Sequence, residues 1–260
     1  MKEYIIATSS TCDLPSTWLE EHNIPFIPYH FTINEQPAVD GCREESRAAI
    51  YDGMRHGDIL KTSQINEASY DQFFRRLLET GKNVLFLDMS EKMSVSFENC
   101  RLAAEAIRKE FPEQQLYVMD TRCISGGLGL LLIHSVELME AGKSFEEVIE
   151  WGEENKLKIA HRFTVDDLNY LKRGGRVSNA SALVGTMLSI KPVLYVPDAG
   201  TLEVVKKCIG RKKALHTILA GVLHDLSQVD CSGKDMLILH ADCMTDAGFI
   251  RDEVRSEAHV

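Results

Sequence analysis

Residues 161–196 read HRFTVDDLNYLKRGGRVSNASALVGTMLSIKPVLYV, and their spacing sets the framework for the rest of the chain. The pattern predicts a short helix, a basic glycine turn, a second helix and a strand, with almost no slack between them. Thr164 stands where it can cap a helix beginning at Val165, and Asp167 is placed to reach back as in a capping box. Phe163 and Leu168 occupy the two staple positions around that cap. Gly174 offers a helix stop at low steric cost, and Ser178 is a good cap for the second helix. Ala180, Leu183, Val184, Met187 and Leu188 make that helix nearly all apolar or small, which predicts burial. Pro192 pushes Lys191 out of the helical region, so residues 193–196 continue as a strand into the turn Pro197-Asp198-Ala199-Gly200.

Upstream of this stretch, strands are expected at residues 4–7, 24–31, 83–89 and 116–120, with helical patterns between them. The run NVLFLDM at 83–89 is continuously apolar but for its ends, as in a strand of a parallel sheet covered on both faces. Alternating strands and helices imply βαβ units and a parallel sheet. Downstream, strands 193–196 and 201–205 must form an antiparallel hairpin. An amphipathic helix comes next, through Ala214, Leu215, Ile218, Leu219, Val222 and Leu223, then a strand at 236–240 and a last helix. The expected architecture is α/β in two domains. Residues 1–157 form a parallel α/β domain with flanking helices, and residues 158–260 form an α/β domain with a mixed or antiparallel sheet.

Composition narrows the function. The chain has 260 residues, 29 Lys and Arg against 39 Asp and Glu, and a formal net charge of −10. An acidic protein lacks the basic face that nucleic acid needs, so no nucleic-acid partner is expected. No N-terminal run has the length and flanks of a signal peptide, and no segment is long and apolar enough to span a membrane. The seven cysteines form no C-x-x-C pair and no zinc spacing, which predicts reduced thiols in a cytoplasmic protein without a metal. There is no G-x-S-x-G elbow and no phosphate-binding G-x-x-x-x-G-K-[ST] loop.

Five segments carry a resemblance. They are TSSTCDLP at 8–15, KTSQ at 61–64, SEKMSVSFENC at 90–100, RCISGGLG at 122–129, and VDDLNYLKRGGRVSNASALVG with LSIKPVL at 165–194. In this order they resemble the motifs of the DegV family, bacterial fatty-acid-binding proteins. The chain departs from the pattern in places. Ile65 stands where the family usually has proline, and Val95 and Ser96 replace the usual glycine and threonine. Ile209 stands where arginine is frequent, and the His-Thr-Gly type segment of a last strand does not occur before Val260.

The resemblance implies a carrier rather than an enzyme. A long-chain fatty acid would lie in a tunnel between the two domains, with no other cofactor. Its carboxyl group would be held by Thr62 and Ser94, with Ser63 in support. On the residues alone, Thr62 reads first as a turn hydroxyl and Ser94 as a helix cap, and it is the resemblance that turns both toward the ligand. A separate fatty acid kinase subunit is the implied client, with transient membrane contact on the way. Arg173 and Arg176, flanking Gly174-Gly175, present forks suited to a phosphate or partner contact, or to completing the preceding helix end. The family's fold also resembles part of dihydroxyacetone kinase, which makes a small-molecule phosphotransfer component the alternative.

Overall fold

The computed structural model describes residues 4–176, 190–228 and 235–258. The chain divides into two compact units, Met1–Ile159 and Ala160–Val260.

The first unit is built on a four-stranded parallel sheet of order β2-β1-β6-β7, with β1 Tyr4–Ser9, β2 Phe26–Ile27, β6 Asn83–Asp88 and β7 Leu116–Asp120. β6 is central, and all six of its residues are buried, as its unbroken apolar run predicts. Helices α3 (Glu67–Leu78) and α4 (Ser96–Ile107) pack together. Their apolar faces meet the sheet in a core of Tyr70, Phe73, Phe74, Cys100, Ala104 and Phe86. Asn66 caps α3 by accepting from Ser69 N–H at 2.8 Å. Helices α5 (Ser125–Glu140) and α6 (Phe145–Asn155) also contact the sheet strands. Ser144 and Glu147 start α6 with a reciprocal capping box. A glycine is required at position 129 of α5, because a Cβ there would lie 2.7 Å from the carbonyl oxygen of Cys12.

The expected single strand at 24–31 is two strands. Pro28 has no N–H for a ladder and divides them. β2 stays on the edge of the parallel sheet, while β3 (His30–Ile33) joins a small antiparallel sheet of order β4-β3-β5. β4 (Gln36–Val39) returns through a two-residue turn in which Asn34 and Glu35 both have positive φ, 48° and 69°. β5 (Leu60–Thr62), absent from the expected strands, pairs with β3 so that Thr62 faces Phe31 across the ladder. Helix α1 spans Ser16–Glu21 and α2 spans Glu44–Arg55.

The second unit carries a three-stranded antiparallel sheet of order β10-β9-β8, formed by β8 Arg162–Thr164, β9 Ile190–Tyr195 and β10 Glu203–Ile209. The β9–β10 connection contains the expected turn, with Gly200 at φ 74° and its N–H donating to the Pro197 carbonyl at 2.8 Å. Helices α8 (Arg211–Ser227) and α9 (Met244–Ala258) close a core of Val193, Cys208, Leu215, Ile218, Ile250 and Val254.

Three expectations fail here. Thr164 is not a cap: it lies in β8, and its hydroxyl donates to the Pro192 carbonyl at 2.6 Å. The helix starts later, as α7 Leu168–Gly174, with the Asp167 carboxylate accepting from Asn169 N–H at 2.8 Å. Phe163 pairs with Leu194 across the sheet instead of stapling a helix. The apolar run 236–240 makes no strand, because no described strand pairs with it. Met236 and Leu239 remain substantially exposed. The second helix expected from Ser178 through Leu188 lies outside the described residues.

Candidate functional site

The carboxyl ends of parallel strands are where an open α/β sheet gathers polar side chains. Here the end of β6 supplies Asp88, a fully buried acid at the close of an otherwise apolar strand. One of its carboxylate oxygens accepts from the Ser9 hydroxyl at 2.6 Å and from Met89 N–H at 2.8 Å. The other accepts from the Tyr70 phenol at 3.0 Å. Burial pushes the Asp88 carboxyl up to about 6, against the opposing pull of these hydrogen bonds. The next strand places Asp120 beside Asp88 in register, and Asp120 pairs with Arg122 at 2.7 Å.

The opening segment TSSTCDLP is largely occupied in holding this edge together. Thr8 donates to the Leu87 carbonyl at 2.9 Å, Ser9 also contacts Thr11 at 2.6 Å, and the Ser10 hydroxyl accepts from Tyr29 N–H at 3.0 Å. Neither Thr11 nor Asp13 caps α1, whose N-cap position is Pro15.

Ser94 lies two residues before α4, half-buried, where an anion would meet the positive end of the helix. Its hydroxyl oxygen accepts from Ser96 N–H at 3.2 Å and from the Tyr29 phenol, also at 3.2 Å. The first of these is a local bond to the residue two further on and not a helix cap, since the N-cap position of α4 is Val95, which makes no side-chain cap bond. Burial, then the nearby Asp88, drives the Tyr29 phenol well above its ordinary range, so it stays a donor.

Thr62 and Ser63 are exposed at the end of β5. Ser63 N–H donates to the His30 carbonyl at 2.8 Å, directly after Tyr29 in the chain. Two residues further, Ile65 is clamped to α4: its N–H donates to Ser96 Oγ at 3.0 Å and its carbonyl accepts from Asn99 at 2.7 Å. Ile65 thus anchors the loop without the proline that the family pattern favours. The KTSQ loop and the Ser94 turn are tied to the same two neighbours, the Tyr29 segment and the first turn of α4.

Arg173 belongs to α7, within the second unit. Arg176 is exposed and donates to the Gly174 carbonyl, completing the end of that helix.

Sequence reasoning missed Asp88, Tyr29 and Tyr70 as members of this network. An acid closing the apolar run of residues 84–87 was the available signal for Asp88. Tyr29 and Tyr70 read as ordinary apolar positions, because only the fold shows where their hydroxyls end.

Residues 4–260 match the DegV family, described as uncharacterised proteins. A DegV domain-containing protein of Clostridium perfringens is 34% identical over 258 residues, which are 99% of this chain and 88% of that protein. A solved DegV family protein from Thermus thermophilus, described for its fatty acid binding, shares 31% identity with a TM-score of 0.74, over 86% of this chain and 78% of its own. A stearic acid-binding protein from Eubacterium ventriosum gives a TM-score of 0.83 at 25% identity, over 99% of this chain and 88% of its own. Matched from its first strand to its last helix, this chain belongs to the DegV family.

Proposed function

We propose that this protein binds a long-chain fatty acid without catalysing a reaction on it, and that Thr62 and Ser94, supported by Ser63, hold the carboxyl group. The observation that carries the reading is the tethering of the KTSQ loop and the Ser94 turn to common neighbours at one end of the parallel sheet. The fatty acid binding described for the Thermus and Eubacterium relatives supports it.

The energetics explain why the head group matters. Burying each methylene gains about 0.8 kcal/mol, so about a dozen supply roughly 10 kcal/mol before ordering costs. A membrane offers the chain a similar refuge. Selectivity for a free fatty acid therefore comes from the polar end, where each hydroxyl adds about 1 kcal/mol, and more to a charged partner. The protein would work in the cytoplasm and present the carboxyl group of the bound fatty acid to a separate fatty acid kinase. Arg173 and Arg176 are the candidate contacts for that partner or its phosphate.

Thr62→Ala combined with Ser94→Ala is expected to weaken fatty-acid binding by about tenfold or more, from two lost hydrogen bonds. Direct titration with palmitate checks this, and an unchanged affinity would sink the head-group assignment. The alternative, a small-molecule phosphotransfer component, predicts instead a protein that binds a triose and ignores palmitate.

A further inference from the structure

Ser94 has one hydrogen to give and two lone pairs with which to accept. Ser96 N–H takes one lone pair and the Tyr29 phenol takes the other, each at 3.2 Å. Among the described residues no acceptor is assigned to the Ser94 O–H itself. With both lone pairs taken in this way, the serine is left to a ligand as a donor. The phenol that enforces this is well supported. Tyr29 is half-buried, its main-chain N–H is anchored on Ser10 Oγ, and its single phenolic proton has the Met89 sulfur, at 3.7 Å, as a longer and weaker alternative to Ser94.

We propose that Tyr29 is the residue that makes this site selective for an ionised carboxylate, by filling the acceptor side of Ser94 and leaving only a donor for the ligand. A carboxylate is acceptor-only and matches that donor. A fatty alcohol brings a proton of its own and finds no free lone pair on Ser94 to receive it. Tyr29 is a positioning residue: it acts on the head group through Ser94. The proposal rests on the reading of Ser94 as a head-group contact, and it adds to that reading the class of head group the site prefers.

The test compares palmitate with hexadecanol, both delivered from cyclodextrin, on the full chain and on Tyr29→Phe. Phenylalanine keeps the ring and removes only the hydroxyl. Palmitate affinity is expected to fall about fivefold to tenfold, the worth of one hydrogen bond in a charged network. Hexadecanol affinity is expected to hold or rise, because a lone pair on Ser94 becomes free. In the Ser94→Ala background, Tyr29→Phe should cause no further loss of palmitate binding. A Tyr29→Phe protein that loses both ligands in equal proportion, or neither, overturns the proposal while leaving the carrier reading intact. A further loss in the Ser94→Ala background overturns it as well, since Tyr29 would then act by another route. An unaltered chain that binds neither ligand overturns the carrier reading and this inference together.

Discussion

Phe86→Ala is expected to destabilise the protein by about 3–5 kcal/mol, the usual cost of emptying an aromatic site in a packed core. Phe86 is fully buried on the central strand. Its ring meets Phe74 edge-on at 5.2 Å between centroids, and Tyr70 and Phe73 each at 5.9 Å. Pairs in this geometry add to the plain area term. The hole would be lined by rings from α3, whose positions are fixed by the helix and cannot easily collapse into it. The effect also reaches the site, because Tyr70 both touches Phe86 and donates to Asp88. Urea unfolding followed by far-UV circular dichroism measures the loss. A loss under about 1 kcal/mol would show that the cluster relaxes around the gap and does not anchor the sheet edge.

Asp88 should give the protein an unusual response to pH. An unfolded aspartate titrates near about 3.9. In the folded chain burial raises Asp88 to about 6. Between these values the folded state binds more protons than the unfolded state, so stability falls as pH rises. The group's contribution is most favourable below about pH 4 and is lost through about pH 6, a change on the order of 2–3 kcal/mol. Asp88→Asn removes the charge and keeps an oxygen for Ser9 and Met89 N–H, while Tyr70 can turn to accept from the amide. Subtracting the variant's stability profile from that of the parent protein between pH 4 and pH 7 isolates the aspartate. The expected difference curve slopes downward with rising pH. A flat curve, or one of opposite slope, would contradict the account of Asp88 as a carboxyl held against its ionisation.

Much of the fold was legible because burial leaves a period in the sequence. The apolar run of β6, the amphipathic pattern of α8 and the Pro197–Gly200 turn all announce themselves locally. What was not legible depends on partners distant in the chain. Nothing in residues 24–31 says that Pro28 hands the chain from one sheet to another. β5 has three residues, and its strand character comes entirely from pairing with β3. The run 236–240 has the composition of a strand, yet composition cannot supply the neighbour that a ladder needs. Thr164 illustrates the same competition at shorter range, since a good capping residue was claimed by the sheet.

The site divides in the same way. Motif order is what proposes Thr62, Ser63 and Ser94 as head-group contacts, and in the structure their loops are tied to common neighbours. The polarity of Ser94 could not be named, because it depends on a phenol 65 residues away in sequence. The acid behind the site was hidden for a related reason: Asp88 closes an apolar strand, and only the convergence of Ser9, Tyr70 and Met89 N–H explains how it is tolerated.

The most direct test of the carrier reading is mass spectrometry of an organic extract from the purified, undenatured protein, repeated after incubation with free fatty acids. The account predicts a long-chain fatty acid at near-stoichiometric yield, and a lowered yield when Thr62 and Ser94 are both alanine. An extract that stays empty after incubation would contradict it and favour the small-molecule phosphotransfer reading.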